Sequence, residues 1–259
     1  MDNKIRICCP CHFGLESVLK YEINKIGGTD LHVTDGKITF SGDFNTIARA
    51  NICLSTAERV LIELGEFEAR TFEELFQGVK AIEFENYIGI NDAFPVKGHS
   101  LNSVLHSVPD CQSIIKKAVV ERLKSKYNVN WFEESNSVVQ IQFSILKDKV
   151  NIYLDTSGIG LHKRGYRKNS NTAPIKETLA AGIIDLARVR SDSIVCDPFC
   201  GSGTILIEAA LKALKIAPGI NRRFAAEKWE CIDKEIWREE RSRAIDLVDR
   251  NAKFEGIGC

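Results

Sequence analysis

The stretch Ser193-Ile-Val-Cys-Asp197-Pro-Phe-Cys-Gly201-Ser-Gly203-Thr-Ile-Leu-Ile-Glu-Ala-Ala210 decides how the rest of this sequence is read. A short apolar run ends in an acid, Asp197. A Gly-Ser-Gly turn follows, and then a strongly apolar helical run. The order is strand, glycine loop, helix. Glycine has no Cβ and accepts φ > 0, so a ligand can come close to the backbone of such a turn. The helix start adds backbone N–H groups and the positive end of a dipole. The loop is expected to hold a small cofactor, and the rest of the chain to bring a substrate to it.

Two familiar cofactor loops do not fit. A nucleoside-triphosphate loop needs a lysine directly after its last glycine, and Thr204 stands there. A dinucleotide fingerprint needs a third glycine three residues after Gly203, and Leu206 stands there. A structural glycine turn, with Asp197 as a helix cap, is the plain alternative.

Composition sets the frame. The 259 residues are 44% hydrophobic and 27% charged, as in an ordinary globular protein with room for two or three small domains. Basic and acidic residues balance at 35 each, so net charge does not announce a nucleic-acid partner, although a local basic face remains open. No apolar run reaches the roughly 18 residues of a membrane span, and the first residues lack the apolar core of a secretion signal. Nine scattered cysteines, several inside apolar runs (Cys8, Cys53, Cys196), suit reduced buried thiols in a cytoplasm. The five histidines form no cluster in the sequence, and no metal site is expected.

Taken in order, the chain opens with a short strand, Ile5 to Cys8. A helix follows with Leu15, Val18, Leu19, Ile23 and Ile26 on one face, stopped by Gly27-Gly28. Strands Leu31 to Thr34 and Lys37 to Phe40 flank Asp35-Gly36, a hairpin signal. A second helix reaches Cys53, and an apolar run covers Arg59 to Leu64. This order fits a small ferredoxin-like α+β domain over residues 1–64. Residues 66–92 carry seven acids against two basic residues, and Thr71-Phe-Glu-Glu is a capping box. Ala93 to Lys97 reads as a strand, and Ser113 is placed to cap a helix with Ile115, Val119 and Leu123 inside. Its outer face carries Lys116, Lys117, Arg122, Lys124 and Lys126. A hairpin over Val138 to Leu154 turns at Lys147-Asp148. This second α+β unit spans 65–157.

Residues 157–171 read as a linker with four basic residues and no acid. A helix is expected from Pro174, another from the glycine loop to about Lys215, and helical structure over 222–250, where eight basic face eight acidic residues. Phe254 to Cys259 reads as a further strand.

Asp197-Pro-Phe-Cys-Gly-Ser-Gly-Thr204 closely resembles the first motif of S-adenosyl-L-methionine-dependent methyltransferases that act on exocyclic amines of nucleic-acid bases. Arg164-Gly-Tyr-Arg-Lys168 and Ala173-Pro-Ile-Lys-Glu-Thr-Leu-Ala-Ala181 resemble the segment entering the catalytic domain of THUMP-containing rRNA guanine-N2 methyltransferases. Cys11-His-Phe-Gly-Leu-Glu16 is similar to the opening of that family's ferredoxin-like domain. The resemblance spans almost the whole chain. It implies a ferredoxin-like plus THUMP α+β region, then a Rossmann-like α/β class I methyltransferase domain beginning at 158. It implies S-adenosyl-L-methionine as cofactor, large-subunit rRNA as partner, and the exocyclic N2 of a guanine as target. Asp197, Pro198, Phe199, Cys200, Gly201, Ser202 and Gly203 would surround the methionine part of the cofactor, with Thr172, Ala173 and Pro174 over the same pocket. An acid at the strand end can meet the cofactor's ammonium group. Lys163, Arg164, Arg167 and Lys168 are candidate phosphate contacts, with Tyr166 available to stack, as are Lys116, Lys117 and Lys124. The bland reading of each charged face is simple solvation.

The chain departs from the family at one point. The catalytic Asn-Pro-Pro-Tyr motif is absent, so no catalytic residue is named, and the acid expected after the second strand is not reached. The sequence reads as the front part of a longer methyltransferase. The alternative function is an RNA-binding module without catalysis. Cys8-Cys9-Pro10-Cys11 also looks like a thiol redox motif, but the segment is too short for a thioredoxin domain before the hairpin, and no redox activity is expected.

Overall fold

The structure, a computed structural model, describes residues 4–167 and 174–259. Lys168, Thr172 and Ala173 lie outside the described residues. The chain forms two compact units, each assembled from separate segments. The first takes residues 1–60, 159–224 and 234–259; the second takes 61–158 and 225–233.

The first unit begins with β1 (Ile5–Pro10), α1 (Glu16–Lys25), β2 (Thr29–Thr34), β3 (Lys37–Gly42) and α2 (Phe44–Cys53). Strand β3 lies between β2 and β1, antiparallel to both. Helix α1 buries Val18, Leu19 and Ile23, as its spacing requires. Its end is a Schellman turn. Gly27 N–H donates to Asn24 O and Gly28 N–H to Ile23 O, with Gly27 at φ 88°. The Glu16 carboxylate accepts from Gly14 and Gly36 N–H at 2.8 and 2.9 Å. It thus pins the start of α1 to the β2–β3 turn, and the Gly36 N–H holds it below the ordinary carboxylate range.

The same unit contains α5 (Glu177–Leu186), β8 (Ile194–Asp197), α6 (Thr204–Ala213), α7 (Lys234–Asp246) and β9 (Glu255–Gly258). β8 and β9 are parallel, with Asp197 opposite Gly258. Ile184, Val189, Ala209 and Ala213 form a core joined by Val195, Ile205 and Phe254. These elements pack directly on the opening segment. A Cβ on Gly182 of α5 would stand 2.5 Å from Leu15, and one on Gly219 would stand 2.6 Å from Asn51 O. Arg49 of α2 donates to Glu240 of α7 through Nε and Nη2 at 2.8 and 2.5 Å, and to Ile26 O at 2.6 Å.

The second unit contains β4 (Leu61–Glu68), α3 (Phe72–Lys80), β5 (Val96–Leu101), α4 (Val108–Tyr127), β6 (Ile141–Leu146) and β7 (Lys149–Asp155). Within it the strand order is β4-β7-β6-β5, antiparallel except for the parallel β5–β6 pair. Thr71 and Glu74 form the expected capping box. Lys147 and Asp148 both have positive φ, the twist-matching conformation of a tight hairpin. Asp148 is held there by Val104 N–H at 2.8 Å and Arg70 at 3.3 Å.

Several boundaries differ from expectation, each for a physical reason. Helix α4 begins at Val108, not near Ser113, because Pro109 needs no N–H partner in a first turn. Ser113 Oγ instead bonds back to Pro109 O at 3.0 Å. β5 runs over Val96–Leu101 rather than 93–97, and a Cβ on its Gly98 would stand 2.2 Å from Phe143 O. Helix α5 starts at Glu177, after Pro174. Of residues 222–250, only Lys234–Asp246 are α-helical. Residues 225–233 join the second unit, where Trp229 is 1% exposed and its indole N–H donates to Val138 O at 3.0 Å. Cys196 is exposed on β8 rather than buried.

Glu85 tests the electrostatics of this second unit. Burial alone would raise its pKa, but hydrogen bonds from Arg122, from backbone and from Lys126 bring it down to about 2. A depressed carboxylate contributes stability above its ordinary pKa and loses it as pH falls through the folded value. Glu85→Gln should cost about 1–3 kcal/mol at neutral pH. Its deficit relative to the wild type should shrink between about pH 4.5 and pH 2, as followed by urea denaturation. A pH-independent deficit would contradict this assignment.

Candidate cofactor-binding site

The glycine loop is anchored at both ends. Asp197 closes β8, and its Oδ1 accepts Phe199 N–H at 3.1 Å. Gly203 N–H donates to Cys200 O at 2.7 Å. β9 supports the turn from the side, where Cys200 N–H donates to Cys259 O at 3.3 Å and Cys259 N–H to Asp197 O at 3.4 Å. Gly201 and Gly203 have φ of 53° and 72°, a conformation that side chains resist. A Cβ on Gly203 would find only Ile207, at 3.9 Å. No side chain caps α6, so its first N–H groups face the loop. Pro198, Phe199 and Gly201 are exposed; Asp197, Cys200, Ser202 and Gly203 are half-buried.

This donor set fits the methionine part of S-adenosyl-L-methionine. The Asp197 carboxylate suits an ammonium group, and the helix start suits a carboxylate. The glycines leave the backbone open. The structure brings Asp197 through Gly203 into one turn. Pro174 is half-buried just before α5; its neighbour Ile175 is linked to Thr204 through Arg167.

The basic run before α5 is where the structure corrects the sequence reading. Arg164 is buried. It donates to Leu161 O at 2.7 Å and Ser55 O at 2.5 Å, and pairs with Glu208 of α6 at 3.4 Å. Tyr166 OH donates to the same Glu208 oxygen at 2.9 Å. Arg167 donates to Thr204 Oγ1 at 2.6 Å and pairs with Glu177 at 3.4 Å. Arg164 is therefore turned inward, and the Tyr166 hydroxyl and the Arg167 guanidinium are engaged by partners of the same unit rather than left free for RNA phosphates. Burial pushes Glu208 above the ordinary carboxylate range despite Arg164 and Tyr166, and pushes the Tyr166 phenol up, keeping it a donor. Lys163 remains exposed. On α4, Lys116 is engaged with Glu134, Phe94 O and the Phe94 ring. Lys117 is exposed and Lys124 half-buried on that helix.

Sequence reasoning missed the acids that receive this run, Glu177 and Glu208, and it missed Glu58. His12 and His162, far apart in sequence, both approach the Glu58 carboxylate, at 3.2 and 3.6 Å, and Lys176 joins at 3.4 Å. Among the described residues, no group of three metal-ligating side chains could hold an ion. Cys8, Cys9 and Cys11 are buried, which counts against the thiol redox reading. Burial raises Cys9 well above an ordinary thiol, and raises Cys11 to about 12. That is the reverse of thiol activation.

Three family models match consecutive parts of the chain. An RlmL ferredoxin-like domain covers residues 6–61, a THUMP domain 69–155, and an RMKL-like methyltransferase domain 164–254. The protein named "Putative RNA methyltransferase YpsC" of Bacillus subtilis (strain 168) is 47% identical over 280 residues, covering 99% of this chain and 72% of the relative.

The chain belongs to the THUMP-containing, S-adenosylmethionine-dependent RNA methyltransferase family.

Similar solved structures superpose closely. One from Listeria monocytogenes str. 4b F2365, named a "predicted N6-adenine-specific DNA methylase", is 44% identical with a TM-score of 0.95. It is covered over 67% of its length, and this chain over 99%. SMU.472, solved in complex with SAH, is 40% identical with a TM-score of 0.93, covering 99% of this chain and 68% of that one. The RNA-binding THUMP module thus coincides with most of the second unit, and the glycine loop lies in the methyltransferase module.

The inward role of Arg164 predicts an asymmetry with its neighbour. Arg164→Met, which strands Glu208, should lower stability by about 3 kcal/mol. Lys163→Met should stay within about 0.5 kcal/mol of the wild type. Urea midpoints compare the two, and equal shifts would refute the inward assignment.

Proposed function

We propose that this chain belongs to an enzyme that methylates the exocyclic N2 of a guanine in large-subunit rRNA. The observation that carries the reading is the open glycine turn leading into an uncapped helix, in a chain that also holds an RNA-binding THUMP module. S-adenosylmethionine supplies an electrophilic methyl group. Asp197 and the start of α6 orient the polar end of the cofactor. The second unit holds RNA, with Lys117 and Lys124 as phosphate contacts. The resemblance of 164–181 to guanine-N2 enzymes and the RlmL-type opening domain support the target. A cytoplasmic setting is part of this proposal, supported by the scattered cysteines of the sequence and by an RNA target.

A second reading is favoured by one specific observation. These 259 residues contain no Asn-Pro-Pro-Tyr, the motif that grips the target amine in the resembled family. On that reading the chain binds RNA without transferring a methyl group.

The test has two arms. rRNA from a strain lacking the locus should be missing one N2-methylguanosine on nucleoside analysis; loss of an N6-methyladenosine instead would overturn the target. The 259-residue chain should bind SAH in calorimetry and retain rRNA on filters, and Lys117→Glu with Lys124→Glu should weaken that retention about tenfold or more. Methyl transfer by the chain alone would eliminate the second reading.

A further inference from the structure

Arg167 can only donate hydrogen bonds, because a guanidinium has no acceptor. Its Nη2 lies 2.6 Å from Thr204 Oγ1, so Thr204 must accept there. Thr204 is 2% exposed, and a buried hydroxyl hydrogen needs an acceptor of its own. Among the described residues, the other partner of Thr204 Oγ1 is Ser202 Oγ at 3.2 Å. Thr204 therefore donates to Ser202. Ser202 accepts in that bond, and its own hydrogen is left for a third group.

Arg167 is itself fixed. Nη1 pairs with Glu177 at 3.4 Å, and Nη2 also reaches Ile175 O at 3.3 Å. Glu177 is nearly buried, so the guanidinium stays charged and in place. The relay runs from Glu177 of α5 through Arg167 and Thr204 to Ser202, in the glycine turn between Gly201 and Gly203.

We infer that Arg167 and Thr204 are positioning residues that set the Ser202 hydroxyl as a hydrogen-bond donor to the carboxylate of the cofactor's methionine part. The inference rests on the cofactor reading given above. Ser202 and the start of α6 then present donors to one anionic group. The segment read in sequence as an RNA contact becomes a device that orients the cofactor loop.

Calorimetry with two ligands tests it on the full 259-residue chain. SAH carries the carboxylate; 5′-methylthioadenosine lacks the whole amino-acid end and is titrated at up to millimolar concentration. Thr204→Val and Arg167→Met should each weaken SAH about tenfold, the cost of one charge-assisted hydrogen bond. Both should leave methylthioadenosine within about twofold. Thr204→Ser keeps the hydroxyl and should bind SAH like the wild type. Equal weakening of both ligands would make the relay merely structural and overturn the inference. So would Thr204→Ser behaving like Thr204→Val, or no change in SAH affinity. A wild-type chain that bound neither ligand would remove the cofactor reading itself, and the relay with it.

Discussion

The buried contact of Glu208 with Arg164 and Tyr166 organises the first unit. A carboxylate deep among apolar residues is costly unless it is paired and hydrogen-bonded. Here one oxygen receives both a guanidinium and a phenol. Glu208 and Thr204 are four residues apart and share a face of α6, so the run 164–167 lies along that face like a strap. Gly165, at φ 95°, lets the chain alternate between its two grips. Arg164 also donates to Ser55 O, at the end of the ferredoxin-like segment. One guanidinium thereby joins the opening segment, the entry to the methyltransferase module, and the helix that follows the glycine loop.

This explains why the first 60 residues and the glycine-loop region form one compact unit, although the THUMP segment separates them in sequence. The Arg49–Glu240 pair and the close approach at Gly182 and Gly219 repeat the theme. The glycines do so by absence, since any side chain there would displace backbone or a core leucine. The Glu58 cluster adds a third tie, bringing His12 together with His162 and Lys176.

Local signals in the sequence located the elements whose physics is local. The α1 stripe, the Gly27-Gly28 stop, the Thr71–Glu74 capping box and both hairpin turns depend on neighbours within a few residues. The strand–glycine loop–helix order was legible for the same reason. What could not be read was the partner of a charge. Lys163, Arg164, Arg167 and Lys168 look alike as a string, yet Arg164 is buried while Lys163 is exposed. The acids that decide this lie 10 to 44 residues away, at Glu177 and Glu208. β5 was misplaced because its Gly98 is chosen by contact with Phe143, not by strand propensity. Helical structure is expected over 222–250, yet residues 225–233 break away to the second unit because Trp229 finds its burial there.

Trp229 bears on the order of events at the ribosome. Chains emerge from the N-terminus, and domains tend to fold as they appear. The strands and α-helices of the second unit are all made by Asp155, but Trp229 and its flanking residues come from a later segment. The indole that fills this interior and satisfies Val138 O arrives only after the glycine loop and α6 have been synthesised. The second unit's packing is thus complete only after the glycine loop and α6, which belong to the first unit, have been translated. Excising 61–158 as a separate domain would leave that interior without its largest side chain.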